Sequence, residues 1–289
     1  MRIEIAVADT EEAELALLES GVDLWTLLED AIGRRAWILG IFPSRTEADA
    51  QWAALAPRLA FAPLGAAAVR HLPDADWKNS YKEHFKAWTF GRLHWVPVWE
   101  RPTFTLPQGH AVLWLDPGLA FGTGNHETTR LCIERLVAVE SVRPAAAEGL
   151  RVVDAGCGSG ILALSAALLG FRQVDGFDND PEAVRVSREN AALNGLEGRV
   201  RFATAGLSEG LAGVEADVLL ANIQADVLAA HAAVLVAAVA PGGTLAMSGI
   251  LSAENDAVRR VFVQLVPDWP AESRVLGEWS DLCLRRPGP

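Results

Sequence analysis

Apolar residues recur along this chain in strand-like and helix-like patterns, and shifts in composition mark its organisation. Near the N-terminus Ile3, Ile5 and Val7 alternate with other side chains, which predicts a half-buried strand over Arg2 to Val7. A helical pattern follows from Asp9 to Ser20 and stops at Gly21. Arg35 to Phe42 predicts a second strand, and Ser44-Arg-Thr-Glu47 has the spacing of a capping box opening a helix through about Ala56. Val69 to Leu72 predicts a further strand. This first part reads as a small α+β unit.

Beyond about residue 150 the pattern becomes a series of apolar runs alternating with alanine-rich helical stretches. Strands are predicted at Leu150–Asp154, Gln173–Asp178, Val200–Thr204, Asp217–Asn222 and Thr244–Ser248. Helices are predicted over Ile161–Leu169, Pro181–Leu193, Val227–Ala240 and from about Ala253 to Leu265. Arg274–Trp279 and Leu282–Arg285 predict a closing hairpin that turns through Ser280-Asp281. Such alternation implies a parallel sheet with helices on both faces, and the hairpin adds an antiparallel strand.

Between these parts Trp77, Tyr81, Phe85 (or His84) and Trp88 recur at helical spacing, and Lys78, Lys82 and Lys86 form one stripe. These are the chain's three lysines, and every other basic residue apart from histidine is Arg. An amphipathic connector accounts for the pattern, with aromatics packed and lysines solvated; a hinge or substrate contact is the sharper alternative. The expected division is therefore an N-terminal α+β domain at 1–73, a linker helix and leading strand at 74–100, and an α/β domain at 101–289.

Composition narrows the function classes. A chain of 289 residues suggests about two domains. Its net charge of −12 argues against phosphate-driven binding to nucleic acid but leaves room for a basic protein partner. Cys132, Cys157 and Cys283 form no Cys-x-x-Cys pair, so neither a metal site nor a disulfide framework is expected. The N-terminus has no apolar signal core, and Val227–Ala240 is shorter than the ~20 residues of a membrane span. A soluble cytoplasmic protein is expected.

The strongest chemical signal is Asp154-Ala-Gly156-Cys-Gly158-Ser-Gly160, placed between a strand and a helix. Glycines there permit a sharp turn and close approach to a ligand. A dinucleotide site wants Gly-x-Gly-x-x-Gly, whereas this spacing is Gly-x-Gly-x-Gly with an Asp two residues ahead. That carboxylate suits the cationic amino-acid end of S-adenosylmethionine better than a pyrophosphate. Asp178 ends the next strand, where a carboxylate can accept from two ribose hydroxyls; capping the helix that starts at Pro181 is the plainer reading. Asn222-Ile223 ends the fourth strand of the series, where methyltransferase folds face the transferred methyl group. Asn222 can offer its side-chain oxygen to an incoming amine, or merely cap the helix near Asp226. Asp116–Arg130 is a glycine-rich loop running into a helix from Thr128 to about Val139, and His126 has no role assignable from generic chemistry.

Asp116–Arg130 closely resembles the ribosomal protein L11 methyltransferase (PrmA) family, and the match continues through Val152–Gly160, Gly176–Asn190, Ala221–Ile223 and Ser248–Leu251. The chain departs from the family's usual Thr-His-Pro at Asn125-His126-Glu127, and from Asn-Ile-Leu-Ala-Gly at Asn222-Ile-Gln-Ala-Asp226. The resemblance implies a Rossmann-like class I methyltransferase domain with a mostly parallel seven-stranded sheet, joined to a substrate-recognition domain by a mobile linker. It implies S-adenosylmethionine as cofactor and the lysine and N-terminal amines of ribosomal protein L11 as acceptors. By motif, Thr129, Gly156, Asp178 and Asn222 would be cofactor positions, joined by Asp154, Gly158 and Gly160; Asn222 would also be catalytic. A monomer needing neither nucleic acid nor membrane is expected. The rival expectations are a lysine methyltransferase for another protein, such as electron-transfer flavoprotein, and a nicotinamide-dependent oxidoreductase.

Overall fold

The computed structural model describes residues 1–10, 12–13, 16–17, 25–30, 35–70, 87–116, 127–142 and 147–289. The chain divides into two compact units, Met1–Tyr81 and Lys82–Pro289.

In the first unit strands β1 (Arg2–Ile5), β2 (Trp25–Asp30) and β3 (Arg35–Gly40) form an antiparallel sheet in the order β1-β3-β2. Ile3 and Ile5 pack with Ala36, Ile38 and Leu55, the last from the helix Arg45–Leu55. The capping box forms as its spacing predicts, with the Ser44 hydroxyl accepting from the Glu47 N–H at 3.1 Å. Strand β2 escapes the sequence pattern, because Leu27 and Leu28 are adjacent and Glu29-Asp30 are poor strand formers. The pleat separates the two leucines: Leu27 packs on the buried cluster, while Leu28 stays largely exposed. No strand forms at Val69 and Arg70, where the nearby pairing is the single bridge Arg2 to Ala68; residues 71–72 lie outside the described residues. Thr10, Glu12, Ala13, Ala16 and Leu17 are helical, and the remainder of the predicted 9–20 helix with its stop at Gly21 lies largely outside them.

The second unit opens with strands β4 (Trp88–Phe90), β5 (Leu93–Pro97) and β6 (Ala111–Leu115) in a small sheet of their own. Trp88, expected on a helix face, begins β4; the connector residues 77–86 lie outside the described residues. Trp95 is fully buried, and its indole N–H donates to Ser165 Oγ at 2.9 Å, which ties this sheet to the helix Ile161–Leu168.

The large sheet contains β7 (Arg151–Ala155), β8 (Gln173–Asp178), β9 (Arg201–Thr204), β10 (Ala216–Asn222), β11 (Val239–Leu251), β12 (Ala271–Glu272), β13 (Val275–Leu276) and β14 (Trp279–Arg285). Its order is β12-β14-β11-β10-β7-β8-β9, with β13 beside β14. Strands β7 to β11 pair in parallel and β14 runs antiparallel to β11. Successive side chains point to opposite faces, so the near-continuous apolar runs of these strands bury both. Val152, Val218 and Leu220 join one core with residues of the helices Glu127–Val142 and Ile161–Leu168. Val153, Leu219 and Ala221 join the other, with Leu228, Leu235, Val258 and Phe262. The result is the expected Rossmann-like α/β class.

Three details differ from expectation. The seven-strand path gains an eighth, two-residue strand, β13. The hairpin turns at Gly277-Glu278, where Gly277 takes a φ of 62°; Ser280 and Asp281 instead lie buried inside β14. The single helix predicted over Val227–Ala240 is two short helices, Ala225–Ala230 and Ala232–Ala237, meeting at His231, and Val239 already belongs to β11. Among the described residues no helix is long and apolar enough to cross a membrane.

Candidate active site

The chain steps one way across the sheet from β7 to β9, then returns to the other side of β7 for β10 and β11. Such a reversal leaves a crevice at the carboxyl ends of the central strands, where open α/β sheets bind ligands. Asp154 lies near that end of β7, Asp178 ends β8, and Asn222 ends β10. In register, Leu220 of β10 faces Asp154, and Asp154 faces Gly176 of β8.

Strand β7 passes directly into the helix Ile161–Leu168 through the glycine turn. Gly156 has a φ of 74°, and a Cβ there would sit 2.4 Å from Ile223 Cγ2, so any other residue would strain the backbone and displace Ile223. The turn is clamped onto β8. The N–H groups of Gly156 and Cys157 both donate to Phe177 O, at 2.8 and 2.9 Å, and Gly158 N–H donates to Asp178 Oδ2 at 2.9 Å. From the far side Ser187 Oγ donates to Gly158 O at 2.7 Å. Gly160 is the left-handed N-cap of the helix that follows.

Asp154 is 1 % exposed. Its Oδ2 accepts from Ala163 N–H at 3.1 Å, while its buried Oδ1 has no hydrogen-bond partner among the described residues. Burial pushes this carboxyl up to about 7; the Ala163 N–H opposes the shift and the nearby Asp178 charge adds to it. An unpaired buried carboxylate oxygen is costly unless a donor or cation completes it. The position therefore fits the cationic end of S-adenosylmethionine.

Asp178 does not cap the following helix. Asp180 does, accepting from Glu182 N–H at 2.8 Å. The Asp178 carboxylate accepts from Gly158 N–H through Oδ2 and from Asp180 N–H at 3.0 Å through Oδ1. Each oxygen retains a lone pair for an outside donor, as two ribose hydroxyls require.

Thr129 comes from the helix Glu127–Val142 and is 1 % exposed. Its Oγ1 accepts from Asn222 Nδ2 at 3.3 Å, a contact between residues 93 positions apart. This orientation turns the Asn222 side-chain oxygen to other use. The capping alternative for Asn222 fails, because Gln224 holds the N-cap position of the helix Ala225–Ala230. Asp226 Oδ1 accepts from Val227 N–H on its own helix.

One contributor escaped the sequence reading. A Cβ at Gly249 would lie 2.3 Å from Ile223 O, and Gly249 has a φ of 85°, so Ile223 is held between two positions that lack a Cβ. The available signal was a glycine closing the apolar run Thr244–Ser248, matching Gly156 after β7. The structure thus brings Asp154, Gly156, Gly158 and Asp178 together around one turn, and sets Thr129 and Asn222 together beside it. Residues 117–126, including His126 and most of the glycine-rich loop, lie outside the described residues.

Comparison with known proteins places the chain in one family. The family model described as ribosomal protein L11 methyltransferase (PrmA) matches residues 5–286. The ribosomal protein L11 methyltransferase of Pseudomonas paraeruginosa is 39% identical over 280 residues, covering 91% of this chain and 90% of that protein. That of Geobacter sulfurreducens is 45% identical over 229 residues, covering 78% and 72%. The crystal structure of ribosomal protein L11 methylase from Lactobacillus delbrueckii subsp. bulgaricus superposes with a TM-score of 0.58 at 30% identity, covering 70% of this chain and 100% of that one.

Proposed function

The chain belongs to the ribosomal protein L11 methyltransferase (PrmA) family, and from that premise we propose that it transfers methyl groups from S-adenosylmethionine to lysine side-chain and N-terminal amines of ribosomal protein L11. It is a class I, Rossmann-like protein methyltransferase. The observation that carries the site assignment is the Thr129–Asn222 contact at 3.3 Å beside the glycine turn. It joins two positions that the family motif implicates but the sequence separates.

Thr129, Asp154, Gly156, Gly158, Gly160, Asp178 and Asn222 would hold the cofactor. When bound, S-adenosylmethionine supplies a methyl group on a positively charged sulfur that leaves as a neutral thioether. No covalent nucleophile or oxyanion hole is then required of the protein. What remains is to present an uncharged amine in line. An ordinary lysine titrates at about 10.4 and an α-amine at about 8. Removal from water favours the neutral form of either, and alignment contributes much of the rate. Asn222 accepts an amine N–H through its Oδ1 and aims the nitrogen lone pair, while Thr129 holds the Asn222 amide in place. Neither His126 nor Asp226 is assigned a proton-transfer role.

Residues 1–73 recognise the protein substrate and 74–100 link that domain to the catalytic one at 101–289. The enzyme acts as a cytoplasmic monomer, on protein alone, without nucleic acid or membrane. Incubation with labelled S-adenosylmethionine and unmethylated ribosomal proteins should place label on L11, located by mass spectrometry. Label confined to another protein such as electron-transfer flavoprotein, or tight binding of a reduced nicotinamide instead, would overturn the reading.

A further inference from the structure

Strand β14 carries the adjacent residues Ser280 and Asp281, 0% and 1% exposed, amid the buried Leu282, Cys283 and Leu284. The Asp281 carboxylate accepts from Arg135 Nε at 2.8 Å and from Arg135 Nη2 at 3.0 Å. It also accepts from the Arg274 backbone N–H at 2.7 Å, Arg274 Nε at 3.1 Å and Arg274 Nη2 at 3.0 Å. Both guanidinium groups belong to, or grip, the helix Glu127–Val142. Arg135 lies on it; Arg274 donates to Leu131 O and to Glu134 Oε2, each at 3.1 Å. One carboxylate therefore anchors residues 131, 134 and 135, starting two positions after Thr129, about 3 Å along the helix axis.

Ser280 reaches the other partner. Ser248 Oγ donates to Ser280 O at 2.9 Å, and Ser248 is the register partner of Asn222. Ser248 O accepts from Ile223 N–H at 3.2 Å. Two consecutive residues of one strand thus hold the two sides of the Thr129–Asn222 contact from behind. A buried ion cluster is a weak source of stability relative to apolar packing, but its planar, bidentate geometry fixes orientation.

We infer that Asp281 is a positioning residue, which through Arg135 and Arg274 sets the helix bearing Thr129 against the strand bearing Asn222. The inference deepens the methyl-transfer reading and rests on it. The test is a double-mutant cycle over wild type, Asp281→Asn, Thr129→Val and the double variant, each held well below its own melting temperature. Calorimetry gives the Kd for S-adenosylmethionine, and transfer to L11 gives kcat. With Thr129 present, Asp281→Asn should raise Kd and lower kcat about tenfold; with Val at 129 it should change either by less than twofold. Equal losses in both backgrounds, or a lowered Tm with Kd and kcat unchanged, would overturn the inference. If Asp281→Asn does not fold, Arg274→Gln enters the same cycle with the same outcomes, because the Arg274 side chain is 37% exposed. Wild type that binds S-adenosylmethionine but leaves L11 unlabelled refutes the functional reading alone, and the Kd cycle still decides the role of Asp281. Wild type that does not bind it refutes both.

Discussion

Replacing Asp154 by Asn should raise stability while weakening the cofactor. The carboxyl is raised by burial from 3.8 to about 7, partly opposed by the Ala163 N–H. Below pH 3.8 both folded and unfolded chains hold the proton. As pH rises the unfolded chain ionises first, so stability falls between about pH 4 and pH 7. A gap of about three units corresponds to roughly 4 kcal/mol, present in full only above pH 7. The isosteric amide keeps an acceptor for Ala163 N–H and carries no such penalty. The variant should therefore melt higher than wild type at pH 7 and alike below pH 4. Cofactor binding should show the opposite preference, since a cation completes the ionised form. About half of the carboxyl is ionised at pH 7 and about 3% at pH 5.5, so Kd for S-adenosylmethionine should rise roughly 15-fold over that interval. Calorimetry in buffers of different ionisation enthalpy should also detect proton release on binding at pH 6 to 7. A wild-type Kd that is flat from pH 5.5 to 7, or the same slope in Asp154→Asn, would refute the reasoning.

Asn222→Ala should lower kcat about 100-fold through lost alignment, with a Kd change under tenfold by calorimetry; near-normal turnover removes Asn222 from catalysis. Asp178→Ala should raise the cofactor Kd about 100-fold, from two lost charge-assisted hydrogen bonds of roughly 1.5 kcal/mol each, and an unchanged titration rejects the ribose role. Gly156→Ala should lower stability by about 1–3 kcal/mol, because its φ is positive and Ile223 occupies the Cβ position; a Tm equal to wild type would contradict that packing. Burial, with His110 2.8 Å away adding repulsion, lowers the His94 pKa, so the unfolded chain takes up the proton first as pH falls. Stability should decline from about pH 6.5 downward, and His94→Gln should flatten that decline in pH-dependent melting curves.

Much of the α/β part was legible because its signals are local. Gln173–Asp178 and Pro181–Leu193 form where the pattern placed them, since the short stretch carrying Val174 and Phe177 ends at Asp178 and the Asp180-Pro181 pair supplies both a cap and a preset first turn. The glycine turn could be read for the same reason, because a positive φ is a demand that a residue type answers by itself. In the N-terminal unit β2 was missed, as its second leucine faces outward and breaks the alternation.

The succession of strands and helices from β7 to β11, the turn after β7 and the carboxylate at the end of β8 were thus determined by the sequence alone. Tertiary structure decided which distant side chains meet. Thr129 and Asn222 carry no mutual signal, and their contact exists because the helix Glu127–Val142 lies against the central strands. Ser280-Asp281 has the composition of a turn, yet it runs through the interior. A carboxylate tolerates that burial because Arg135, 146 residues earlier, joins the nearby Arg274 in sharing its charge. No window of sequence short enough to scan for a turn contains Arg135 together with Asp281.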